Sequence, residues 1–273
     1  MITQLLHSAL ILLLVATSAL AQIEILRVET SLGASGLPAA GGLATLYCTG
    51  LTGIDGLITP TTTPLPTTIA GVRINFGSVD APLLAIKNVR KANQSYQQIN
   101  FQVPYEVSAA PRLIQGAQSA DLPTALSPWG QLFPIAQHAL DYRPVTAFDP
   151  PKAGEAIILY GTNFGSVTVQ QTAGVPSPSD PLVKLSTLIV GLDLWKFRAI
   201  LETVISEQQL DLEFAGLAPG TIGVYQFNVR MPDPLPPLPG RITFKRAANC
   251  GARFSPGCGT GLRIESSSYL HLN

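Results

Sequence analysis

The chain has 273 residues with 17 basic and 17 acidic side chains, so it is formally neutral, and only 12% of it is charged. That balance sets aside a nucleic-acid partner, because a phosphate backbone calls for a clustered Lys/Arg surface; the densest basic cluster, Lys87, Arg90 and Lys91, reads as a solvated loop. A 46% hydrophobic share argues against disorder, and 24 Gly with 23 Pro punctuating Thr-, Val-, Ile- and Leu-rich runs predict short strands joined by loops.

The first element is not part of the fold. Residues 1–21 carry an apolar run from Ala9 to Ala16 and end in Ala19-Leu20-Ala21, a small-x-small pattern that predicts a secretory signal cleaved after Ala21. The leading region lacks Lys and Arg, so only His7 and the amino terminus could carry charge there. The apolar run is too short to span a bilayer comfortably. No cysteine follows the cleavage site to take a lipid, and no second apolar span appears. The mature chain, from Gln22, is therefore expected to be soluble and extracytoplasmic, either secreted, periplasmic or on the cell surface.

A first strand is predicted in LATLYCTGLTG (43–53), after the Pro/Gly lead-in LPAAGG (37–42). Cys48 shares a strand face there with Ala44 and Leu46 and reads as a buried thiol acting as a small hydrophobe. A Thr/Pro loop and a strand pair follow, the pair in AGVRINFGSVDAPLLAI (70–86). QINFQVP (98–104) then alternates Ile99, Phe101 and Val103 against Gln98, Asn100 and Gln102, the pattern of a half-buried strand, and Pro104 ends it. Gln98 and Asn100 invite a reading as a ligand rail, although such amides more often bond to neighbouring loops or face water.

Residues 131–147, with Pro134 and Pro144, read as a linker. His138 and Asp141 lie in it; with a serine they would suggest acyl-transfer chemistry, but no G-x-S-x-G elbow exists, and an interdomain polar contact is the expected role. DPPKAGE (149–155) and AIILYGTNFGS (156–166) repeat the earlier lead-in and strand, with Leu46-Tyr47 over Leu159-Tyr160. Gly161 and Gly165 mark a strand-end turn without the Lys and Ser/Thr of a phosphate loop. The second middle is VKLSTLIVGLDLWKFRAIL (183–201); beyond it, 195–209 fits both helical and strand spacing and is read as strand and turn, with a short helical turn at 202–208. Glu202, Glu207, Asp211 and Glu213 form the densest acidic stretch and read as a solvated face, since nothing opposes two of them across a cleft. QFNVRMP (226–232) repeats the closing phrase: Gln98 lies over Gln226, Asn100 over Asn228 and Pro104 over Pro232. PDPLPPLPG (232–240) reads as a loop rather than a polyproline ligand, with RITFKRA (241–247) as the last strand. In the tail, Cys250 and Cys258 are spaced for a disulfide worth about 2.5 kcal/mol if unstrained. Three Cys and two mature His match no zinc pattern, and neither metal nor cofactor is expected.

One phrase stated twice implies one duplicated unit. Each copy runs to about 100 residues, the size of an immunoglobulin-like sandwich. The expected organisation is a first sandwich over 22–130, the linker at 131–147, a second sandwich over 148–247 and a tail over 248–273. DPPKAGEAIILYGTNFG resembles the opening of an IPT/TIG domain, and FAGLAPGTIGVYQFNVRMP (214–232) resembles a repeat of secreted acidobacterial proteins, the Solibacter-type C-terminal domain. PLPTTIAGVRINFGSVDAPLLAI and QINFQVPYE look like the preceding unit of those proteins, so the resemblance covers roughly residues 35–247. It implies an all-β pair of tandem sandwiches outside the cytoplasm and transfers no catalytic residues. The insertion at 192–209 and the Cys-bearing tail depart from it.

The expected function is that of a non-catalytic binding or structural protein of the envelope or extracellular space. Its partner would be a protein or an extracellular polysaccharide. A carbohydrate-binding accessory module would place Trp129 or Trp195 on an exposed platform. A secreted hydrolase would place His138 in a pocket beside an acid and a nucleophile.

Overall fold

The structure is a computed structural model and describes residues 22–91, 94–128, 130–146, 148–165, 167–185, 189–198, 201–235 and 240–245. Its secondary structure is all-β, in antiparallel sheets. Residues 1–21, read as a signal, and Trp129, Cys250 and Cys258 lie outside the described residues, as does the side chain of Trp195.

The N-terminal unit contains β1 (Glu24–Thr30), β2 (Leu43–Thr49), β3 (Leu57–Ile58), β4 (Val72–Asn75), β5 (Leu83–Lys91), β6 (Gln94–Gln102), β7 (Arg112–Gln115) and β8 (Gln118–Asp121). One sheet runs β1-β2-β6-β5-β3 and the other β4-β7-β8. Leu46, Leu83, Ile86, Ile99 and Phe101 from the first and Val72, Ile74 and Leu113 from the second are wholly buried in one apolar cluster, so the sheets pack face to face. Cys48 is buried in the same cluster. The basic residues expected in a loop lie on β5 instead; Lys87 and Arg90 are exposed on that strand.

The C-terminal unit contains β9 (Gln131–His138), β10 (Ala156–Thr162), β11 (Ile189–Arg198), β12 (Leu201–Gln209), β13 (Asp211–Leu217), β14 (Tyr225–Arg230) and β15 (Gly240–Lys245). Its sheets run β13-β14-β10-β9 and β12-β11-β15. A second apolar cluster gathers Ile157, Leu159, Phe227, Val229 and Met231 with Phe164 and Tyr225.

The two closing phrases share a pairing register. Thr45 pairs with Asn100 and Tyr47 with Gln98; in the second copy Ile158 pairs with Asn228 and Tyr160 with Gln226, the same register. The closing strands end where the prolines require, β6 at Gln102 and β14 at Arg230. Val103 N–H donates to Gly42 O at 2.9 Å, and Met231 N–H to Glu155 O at 2.7 Å. The turns after β2 and β10 use Gly50 at φ 89° and Asn163 at φ 64°, then bury Leu51 and Phe164. Only glycine, or an Asx residue with local bonding, adopts that conformation cheaply.

Three expectations are corrected. Residues 131–138 are not linker: they form β9, which pairs with β10 as β1 pairs with β2. The sequence concealed it because Pro134 interrupts the strand pattern, and the register shift between Leu159 and Gly161 is where a proline without an N–H is tolerated. Residues 202–208 are not helical: they lie in β12, where pairing with β11 and the β-branched Thr203, Val204 and Ile205 prevail over helical periodicity. His138 does not make an interdomain contact; its partners, Glu155 and Asp149, lie in the second unit.

The two units are docked through buried polar contacts. Asn163 Oδ1 accepts from Ala39 N–H at 2.6 Å, and its Nδ2 donates to Pro128 O at 2.6 Å and Ser127 Oγ at 3.0 Å. Gln102 is 2% exposed; its Nε2 donates to Gly41 O at 3.0 Å, while its Oε1 accepts from Gly174 N–H of the second unit at 2.7 Å. Thr30 Oγ1 donates to Gln131 Oε1, and Leu43 N–H donates to Thr162 Oγ1 at 3.3 Å.

Candidate functional site

The outer face of the first sheet carries a groove of about 350 Å³, lined by Glu29, Thr45, Tyr47, Leu84, Gln98 and Asn100 among others. Strand alternation explains the membership. Ile99 and Phe101 turn inward, so Gln98 and Asn100 turn outward. Tyr47 and Thr45 are their cross-strand partners on β2, and Arg27 and Glu29 are the partners of Tyr47 and Thr45 on β1. Two bulges complete the groove. Leu26 is an extra residue between Ile25 and Arg27, and Leu84 is an extra residue between Leu83 and Ala85.

The polar groups form a ladder. Asn100 Oδ1 accepts from Gln98 Nε2 at 3.1 Å and from Thr45 Oγ1 at 3.3 Å. Asn100 Nδ2 and Gln98 Oε1 have no partner among the described residues, so a donor and an acceptor are left for a ligand. At the side of the groove, the Arg27 guanidinium lies 3.6 Å from the Tyr47 ring centroid and its Nε donates to Glu29 Oε1 at 2.7 Å. Burial works against the Arg27 charge, but the hydrogen bond and charge of Glu29 prevail and hold its pKa above the ordinary value. Tyr96 meets Tyr47 edge-on at 5.8 Å.

The second copy repeats the frame with a different surface. Gln226 Nε2 donates to Asn228 Oδ1 at 2.9 Å, matching Gln98 and Asn100. The position of Thr45 is taken by Ile158, which is 4% exposed. One hydroxyl is thereby exchanged for an apolar side chain in the middle of the ladder.

His138 is 3% exposed. Its Nδ1 lies 2.6 Å from Glu155 Oε1, and its Nε2 lies 3.3 Å from Asp149 O. Both ring nitrogens thus face acceptors within the second unit, and Glu155 Oε2 also accepts from Lys152 N–H at 2.8 Å. Asp141 pairs instead with Arg143 at 2.6 Å, and the hydrogen bonds from Arg143 hold its carboxyl below the ordinary value. His138 therefore ties the end of β9 to the loop before β10, and among the described residues no hydroxyl bonds either nitrogen. Of the acidic stretch, Glu213 pairs with Arg230 and Asp211 is exposed. Trp195 lies on β11 opposite Val204.

Among the described residues, no group of three or more His, Cys, Asp or Glu could hold a metal ion, and no helix is long and apolar enough to cross a membrane. No family model matches the chain, and neither a curated protein nor a solved structure matches it.

Sequence reasoning named Gln98 and Asn100 but missed Arg27, Glu29 and Leu84. Alternation in EILRVET (24–30) was the available signal for β1. Nothing in the sequence announces the bulges, because a bulge is a matter of pairing register between two strands.

Proposed function

We propose that this protein is a non-catalytic binding protein of the cell exterior or envelope, and that the outer face of its first sheet is its binding surface. The groove carries the reading: its rigid amide ladder retains donor and acceptor capacity that the protein does not use. The docked units favour a preorganised scaffold, which lowers the ordering cost of binding. The leader at 1–21 and the likeness of 214–232 to secreted acidobacterial repeats support the extracytoplasmic placement. A hydrolase centred on His138 is the weaker reading, since acceptors occupy both ring nitrogens.

Thr45→Ile tests the proposal, because it installs in the first ladder the residue found in the second. Mature protein and variant are immobilised and exposed to solubilised envelope and extracellular-matrix fractions. A component retained by the wild type and lost from the variant supports the reading. Equal retention by both, or retention by neither, rejects the groove as the binding surface.

A further inference from the structure

We propose that the groove on the first sheet binds a segment of a neutral oligosaccharide; this rests on the reading of that groove as the binding surface. Its chemistry selects the ligand class. The carboxylate in its lining is Glu29, which is bonded to Arg27, and Lys87, opposite Gln98 on β5, is exposed and outside the lining, so the lining itself offers no unanswered charge to recognise an ion. A charged ligand would lose its hydration without gaining a counter-charge. A purely apolar ligand would cover the amides of Gln98 and Asn100 and leave them unsatisfied, at about 1–3 kcal/mol for each group.

A sugar meets both conditions. Each hydroxyl both donates and accepts, and so fits Asn100 Nδ2 as donor beside Gln98 Oε1 as acceptor, with Thr45 Oγ1 adding a third polar point. The C–H face of the ring is apolar and fits the surface supplied by Tyr47 and Leu84. The bond from Gln98 to Asn100 holds the two amides in one orientation before the ligand arrives. The volume, about 350 Å³, sits at the low end of small-molecule sites, which span ~300–1,000 Å³, and suits a short stretch of a chain. The second sheet keeps the tyrosine and both amides but places the buried Ile158 where Thr45 stands, so the two copies differ at the ladder's centre.

The test is a titration of ¹⁵N-labelled mature protein with cellohexaose, mannohexaose and xylohexaose, with trigalacturonate as the charged comparison. The expected result is a saturable shift of the Gln98 and Asn100 side-chain amide signals with at least one neutral hexasaccharide. Thr45→Ile and Asn100→Ala should each weaken it at least about tenfold, the equivalent of roughly 1.4 kcal/mol. Asn100→Ala keeps the test decisive if Thr45→Ile disturbs the fold by circular dichroism. Absence of a saturable shift with every neutral sugar, unchanged affinity in the folded variants, or preference for trigalacturonate overturns the inference. If neutral sugars fail while Thr45→Ile still abolishes retention of an envelope component, the binding reading stands and only the ligand class falls. If both fail, both fall.

Discussion

Asn163 offers the sharpest test of how the two units are held. Its side chain is 1% exposed, makes three hydrogen bonds to the first unit, and sits at φ 64°. Asn163→Ala removes all three bonds, at about 1 kcal/mol each. It also puts alanine in the left-handed region, at about 1–2 kcal/mol. The expected loss is therefore about 4–5 kcal/mol, a large part of the ~5–15 kcal/mol that holds a typical domain. Asn163→Gly loses the same bonds but adopts φ 64° freely, so it should be less damaging than alanine by about 1 kcal/mol. Equilibrium urea unfolding followed by far-UV circular dichroism measures both. A loss below about 1 kcal/mol for alanine would show that water or loop rearrangement replaces these bonds. Glycine proving worse than alanine would show that the turn is not strained.

Burial pushes the Cys48 thiol up to about 12 from its ordinary 9.0. The unfolded chain then gives up that proton first as pH rises, so the stabilisation is complete below pH 9 and is lost between pH 9 and 12, amounting to about 3 kcal/mol by pH 11. Unfolding measured at pH 8 and pH 11 should show a smaller drop for Cys48→Ala than for the wild type; equal drops refute the assignment. Tyr105, pushed up to about 12 mainly by burial, adds to the loss above pH 10 in both proteins. A β-carbon at Gly50 would overlap the carbonyl of Gln22, while one at Gly53 meets nothing within 4 Å, and both residues have positive φ. Gly50→Ala should therefore cost well over the ~1–2 kcal/mol of backbone strain expected for Gly53→Ala, and equal melting temperatures for the two variants would contradict the overlap. A double-mutant cycle on His138→Ala and Glu155→Ala should give a coupling of at least about 1 kcal/mol, and a value near zero would mean that the 2.6 Å contact holds nothing together.

Much of the fold was legible in the sequence because strand alternation and turn chemistry are local. Ile99, Phe101, Phe227 and Val229 were placed inside by period two alone, and all are wholly buried. The repeated Gln-x-Asn phrase falls on β6 and β14 in one pairing register, and its prolines marked where those strands stop. The all-β class followed from composition. What failed to show was set by pairing across distance: β9 hidden behind Pro134, β12 behind helical spacing, and His138 matched to Glu155 of its own unit rather than across the units. The groove belongs to this second kind. Its amides were visible in the sequence, but Arg27, Glu29 and Leu84 reach them only through the register of three strands and two bulges. The sequence by itself determined which side chains face inward, because that depends on alternation along one strand. Only the tertiary structure decided which outward side chains meet and that the two copies dock through Asn163 and Gln102, because those contacts join residues far apart in the chain.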